Sequence, residues 1–185
     1  IVRKIIKGKV LLVMVLIIVI FSQVRIVANW EKDDFSPAAI QRSNTIRVYK
    51  QVVDFTYQTS EGEPFIINTV TNPLFINTTW EYLYNFYGKK KFGYVPYFGG
   101  RSQAGYQYSL TQKQFGTKYR YLIIESTIGM PDVYVTKAKY EEEKVSDLIE
   151  ERNFGYVVVQ KRVFHEGKKD VEIPESLKNS PILYE

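Results

Sequence analysis

The chain has 185 residues, 45% hydrophobic and 15% aromatic, with no cysteine, one histidine and 25 basic against 20 acidic residues, a formal charge of +5. Without cysteine there is no disulfide framework and no thiolate metal site, and a His-dependent nucleophilic triad could use only His165. Five basic residues (Arg3, Lys4, Lys7, Lys9, Arg25) precede residue 31, and beyond it the charges balance at 20 each, so the pI near 9.2 does not describe a basic folded face and nucleic acid is not an expected partner.

The first element is the run Val10 to Phe21, twelve apolar residues behind a purely basic flank. Continued through Val24, Ile26 and Val27 with Arg25 snorkelling, it gives an apolar span of about 18 residues, close to the ~20 that a bilayer core requires. The spacing predicts a transmembrane helix over 1–30. The basic flank places the N-terminus in the cytoplasm and the remainder outside, with Trp30 as an interfacial anchor. A cleavable signal peptide shares the basic-then-apolar pattern, but no small residue stands three before Ala28 and Arg25 lies near the would-be cut. A buried core helix would carry a polar stripe, which this run lacks. The first residue is Ile rather than Met, the expectation for the tail of a longer protein.

Residues 31–165 read as one extracytoplasmic domain, long enough for a single core. Ile46, Tyr49, Val52, Val53 and Tyr57 recur at helical spacing behind Ser43, predicting a helix over 44–58. Residues 65–70 (FIINTV) form a β-branched strand between turn signals. Thr78 and Glu81 make a capping box for a helix over 80–87, with Gly88 past its end and Lys89, Lys90 and Lys91 beside the negative end of its dipole. The stretch 89–118 is far longer than an ordinary connection, yet Tyr94, Tyr97, Phe98, Tyr106 and Tyr108 make it too aromatic for disorder. A strand over 119–126 follows, then a helix from a Thr136 cap to Glu151, closed by Asn153, Phe154 and Gly155, then a strand over 156–164. Residues 166–185 are a polar, loosely attached tail. This order predicts an α/β fold, a small mostly parallel sheet with packed helices, joined by right-handed crossovers behind the membrane helix.

Chemistry is sparse. His165 sits between a strand end and the tail, where an exposed histidine is the default. Glu141, Glu142 and Glu143 read as a solvated first-turn face. Asp132 and Asp147 stand alone, so neither a metal nor a cofactor is expected. The Gly-rich stretch 98–105 lacks the phosphate-loop lysine and reads as a flexible turn. Asn77, Thr78 and Thr79 form a glycan-acceptor triplet that the helix cap already explains. The densest feature is Trp80 to Pro96, where aromatic faces suit sugar rings and lysines suit phosphates, although half of the rings also fit a helix core.

Residues 52–57 (VVDFTY), 62–65 (GEPF), 80–94 (WEYLYNFYGKKKFGY) and 154–162 (FGYVVVQKR), behind an apolar helix, resemble the C-terminal end of bacterial polytopic membrane glycosyltransferases of the GT-C type. The resemblance covers most of residues 10–165 and includes no catalytic signature. It implies an accessory extracytoplasmic domain of an enzyme that uses a polyprenyl-phosphate-linked sugar, with the catalytic acid in a part not contained here. With the long basic, aromatic stretch, it makes Lys90, Lys91, Tyr94 and Arg101 the candidate donor-binding residues. Membrane lipid, the lipid-linked donor and the parent's other transmembrane helices are the implied partners. A single-pass membrane-anchored binding or interaction module is the alternative, and an anchored hydrolase is disfavoured by the lone His165.

Overall fold

The computed structural model describes residues 2–29, 45–100, 109–167, 169–178 and 180–181, with side chains in the first stretch described for residues 12–25. The chain divides into two compact units, Ile1–Arg42 and Ser43–Glu185.

The first unit contains helix α1 (Val2–Asn29). Leu12 to Phe21 and Val24 are each half or more exposed, on every side of the helix. Among the described residues no helix is long and apolar enough to cross a membrane, so the expected transmembrane helix is not found there.

The second unit begins with α2 (Ile46–Thr59), two residues later than the periodicity alone implied. Thr45, not Ser43, is its cap: extended backbone lets its hydroxyl accept from the Val48 N–H. Then come β1 (Phe65–Val70); α3, which runs from Thr78–Leu83 through a π-helical turn at Tyr84–Gly88 into Lys89–Phe92; and β2 (Tyr97–Phe98). These are followed by β3 (Tyr119–Ile124), α4 (Asp132–Glu143), β4 (Ser146–Phe154), β5 (Val157–Phe164) and the short α5 (Glu175–Lys178).

The five strands form one mixed sheet in the order β2-β1-β3-β5-β4. β2, β1 and β3 are parallel, whereas β3/β5 and β5/β4 are antiparallel ladders. The α/β class holds, but the mostly parallel sheet does not, because the expected helix over 136–151 is two elements. The helix occupies Asp132–Glu143 and its supposed second half is β4. Gly155, with φ 63°, begins a two-residue turn into β5, and so short a connection permits only antiparallel pairing. A register shift between Leu148 and Glu150 breaks the period of two. Leu148 and Ile149, which counted as the buried face of a helix, are about half exposed on an edge strand otherwise rich in charge.

β3 is buried along its whole length and divides two cores. On one face Val52, Val53 and Phe55 of α2 and Trp80, Leu83 and Tyr84 of α3 pack on Phe65, Ile67, Tyr121 and Ile123. On the other, Tyr134, Val135 and Ala138 of α4 pack on Val70, Leu122 and Ile124. The C-terminal segment is tied in rather than loose: Lys169 N–H donates to the Lys144 carbonyl at 2.7 Å, and Leu177 is fully buried.

Candidate functional site

Gly88 does not end α3. It is buried, and a Cβ there would stand 2.8 Å from both Cε2 and Oη of Tyr57, so glycine is what lets the helix pass against that ring. The helix continues one turn to Gly93, whose φ of 89° supplies the left-handed cap. The three lysines therefore lie inside the last helical turn.

Their chemistry divides. Lys91 Nζ pairs with Asp54 Oδ1 at 2.8 Å and bonds Tyr87 Oη at 3.1 Å, contacts that hold its ammonium above the usual lysine range. Tyr94 is a structural ring. It packs edge-on against Tyr57 with centroids 5.0 Å apart, bonds Ser60 Oγ at 3.2 Å, donates to the Glu63 carbonyl, and its own carbonyl accepts from Tyr57 Oη at 2.7 Å. Lys90 is exposed. Arg101 lies outside the described residues. Of the three described, Lys91 and Tyr94 are committed to holding the turn, and Lys90 faces solvent. Trp80 and Tyr84 are core, while Tyr82 and Phe86, 4.5 Å apart, remain exposed ahead of Lys89 and Lys90 on the same helix.

The concave feature lies elsewhere, over the carboxyl end of β1. β1 and β3 are adjacent and parallel, yet β1 is followed by α3 on one face of the sheet and β3 by α4 on the other. Where successive helices part in this way, the loops leave a crevice beyond the strand ends. On the α4 side it widens into a cleft of about 420 Å³. β1 contributes Asn68 to Val70, the loop after it Thr71, and α4 presents Tyr134, Lys137, Ala138 and Glu141 at helical spacing. Gly99 and Gly100, read from sequence as a flexible turn, also line it. A Cβ on Gly100 would stand 2.4 Å from Asn68 Oδ1, so the glycine keeps that acceptor uncovered.

The orientation of Asn68 is set from below. Its Nδ2 donates to Glu142 Oε1 at 3.0 Å, and Glu142 is gripped by Arg120 through Nε (2.7 Å) and Nη2 (2.9 Å). Glu142 is accordingly buried, not the solvated residue its neighbours suggested. Its burial repeats in the adjoining network, where Arg162 Nε donates to Ser146 Oγ, which itself donates to the Glu142 carbonyl. Burial pulls the Arg162 pKa down, against nearby Glu142. Phe75, at the cleft mouth, holds φ 64° with its ring about half exposed and edge-on to Tyr134 at 6.1 Å. A bulky residue in that conformation costs on the order of 1 to 3 kcal/mol, which its surroundings must offset.

On the opposite face, Glu125 closes the same strand ends. Its Oε1 accepts from Trp80 Nε1 (2.9 Å) and Tyr49 Oη (3.1 Å), and its Oε2 from the Asn72 N–H (2.8 Å). Burial nevertheless pushes its carboxyl up, as it does that of Glu81 beside Ser109. His165 is part-buried and stacked on Phe164, with no nucleophile or carboxylate bonded to it among the described residues. Among the described residues no group of three His, Asp or Glu side chains could hold a metal ion.

Sequence reasoning missed the cleft. The only trace was the 134, 137/138, 141 spacing on α4, which reads equally as a half-buried helix face. Set against family models, curated proteins and solved structures, the chain finds no match in any of the three.

Proposed function

We propose that the chain is the C-terminal part of a bacterial polytopic membrane glycosyltransferase of the GT-C type. In this reading α1 lies in the bilayer with its N-terminus cytoplasmic, and the α/β unit stands outside as an accessory domain. The catalytic residues belong to a part of the enzyme not contained in this chain. The observation that carries the reading is the apolar surface of α1: Leu12 to Phe21 point outward all round the helix, and water is a poor solvent for such a surface. The basic flank ahead of it and the sequence resemblance add the orientation and the chemistry. The exposed succession Tyr82, Phe86, Lys89, Lys90 suits a surface that meets a polyprenyl-phosphate sugar, with Lys90 toward the phosphate, and the sequence resemblance adds Arg101 as a second candidate.

Because the chain has no native cysteine, single cysteines at Lys4 and Ser180 report topology in whole cells. A membrane-impermeant thiol reagent should label position 180 and spare position 4, and the reverse pattern overturns the orientation. In the full-length parent, Lys90→Ala and Arg101→Ala should each reduce transfer from a limiting donor roughly tenfold, the loss of one charge-assisted contact apiece. An unchanged rate removes the donor-binding role.

The anchored binding module remains as a second reading, and the cleft over β1 favours it, since it is built wholly from this chain's own residues.

A further inference from the structure

We propose that the cleft over the carboxyl end of β1 binds a saccharide ring. The inference goes beyond the transferase reading, since none of Tyr82, Phe86, Lys89 and Lys90 lines this cleft.

Its polar groups are held in fixed orientations. Asn68 commits its Nδ2 to Glu142, which leaves Oδ1 on the side that Gly100 keeps uncovered. Gln114 commits its Nε2 to the Gly99 carbonyl at 2.8 Å, which leaves Oε1 as the acceptor. Glu141 adds a carboxylate. Each of these amides still holds a second N–H beside its oxygen, so the rim can both donate and accept, and hydroxyl groups are the neutral ligands that do both. The charges that line the cleft are Lys137 and Glu141, one helical turn apart, so it carries no net positive charge to draw phosphate.

The apolar side of the cleft suits the same ligand. Phe75 and Tyr134 set two rings edge-on at 6.1 Å beside these acceptors, and Phe75 holds its ring there from a left-handed backbone conformation. A pyranose has hydroxyls around its edge and C–H bonds on its faces, the combination that such a wall and rim accommodate. The volume of about 420 Å³ lies within the range of small-molecule sites, roughly 300 to 1,000 Å³. The buried Arg120–Glu142 pair fixes the orientation of Asn68 before any ligand arrives, which lowers the entropic cost of binding.

The test uses the full chain in a phosphocholine detergent, because glycoside detergents would compete. Saturation-transfer NMR is run with the methyl α-glycosides of glucose, mannose and galactose and with N-acetylglucosamine. At least one should receive saturation on its ring C–H protons, and inorganic phosphate at equal concentration should not displace it. Phe75→Ala and Gln114→Ala should each weaken binding about five- to tenfold, while the exposed Glu172→Ala leaves it unchanged. Side-chain amide resonances of Asn68 and Gln114 in the unsubstituted chain should shift on titration, a readout independent of any variant's folding. Absence of saturation transfer to every sugar, competition by phosphate, or shifts that spare both amides overturns the proposal. None of these outcomes touches the transfer assay with Lys90 and Arg101, so the two readings fail separately.

Discussion

Arg120 and Glu142 face each other across the α4 side of the sheet as a two-point ion pair, Nε to Oε2 at 2.7 Å and Nη2 to Oε1 at 2.9 Å, with both side chains at most 3% exposed. The pair joins β3 to α4. It reaches β1 through Asn68 and the Gln114 carbonyl through Arg120 Nη1 at 2.6 Å. A buried pair of this kind is weak evidence of net stabilisation, but removing one partner strands a buried charge. Glu142→Leu should therefore destabilise the α/β unit by about 3 to 5 kcal/mol, measured by chemical denaturation. The double variant Arg120→Met/Glu142→Leu should recover much of that loss. A single variant no worse than an ordinary surface change would mean that the pair is not closed in solution.

Gly88→Ala sets two effects against each other. In a helix interior alanine is better than glycine by about 1 kcal/mol. Here the added methyl would meet Tyr57 at 2.8 Å, and Tyr57 cannot retreat easily: its ring stacks on Phe92 at 4.3 Å and its hydroxyl bonds the Tyr94 carbonyl. Overpacking of this kind costs about 1 to 3 kcal/mol, so the net change should be destabilising. Tyr57→Phe should lessen the penalty in the double variant, because it removes one of the two closest atoms. An increase in melting temperature for Gly88→Ala would show that the helix and the ring do not approach in this way.

Acidity should act through two of the buried carboxyls, Glu125 and Glu81. Burial raises the Glu125 and Glu81 pKa values above the ordinary 4.5 in the folded state. A raised folded-state value means that folding favours the protonated acid. The contribution is complete below pH 4.5 and is lost as pH rises through the folded-state values. Glu61 and Asp147, held down by Lys118 and Lys169, act with the opposite sign below that window. Glu81→Gln should therefore raise the melting temperature relative to wild type at pH 7 and above, with the difference shrinking toward pH 4.5. A pH-independent difference between the two proteins would remove the titration from the account.

The three consecutive lysines should not be equivalent. Lys91 is occupied by Asp54 and Tyr87, whereas Lys90 is free of any ion pair among the described residues. In the transfer assay Lys90→Ala should lower donor use and Lys91→Ala should leave it near wild type. Lys91→Ala should instead cause a small, salt-sensitive drop in melting temperature, as expected of an exposed pair. A larger transfer defect for Lys91→Ala than for Lys90→Ala would reverse this division.

The sequence by itself determined the elements whose burial is one-sided or complete. FIINTV and YRYLII are β-branched or aromatic runs between turn signals, and both are strands at the expected places. The period of 3.6 in Val52, Val53 and Tyr57 marked α2 because that face alone is buried. The all-apolar run in α1 likewise stood out without reference to anything else in the chain.

Only the tertiary structure decided the rest. β4 is an edge strand whose Leu148 and Ile149 face solvent, so its local pattern carried no record of its pairing with β5. Gly88 resembles a helix stop until Tyr57, 31 positions earlier in the chain, occupies the space where a side chain would go. Glu142 stands between two exposed glutamates, and its partners Arg120 and Asn68 lie 22 and 74 positions away. The cleft has the same origin, for its acceptors are aimed by residues distant in sequence. Periodicity reports whether a residue is covered, and only the folded chain determines what covers it.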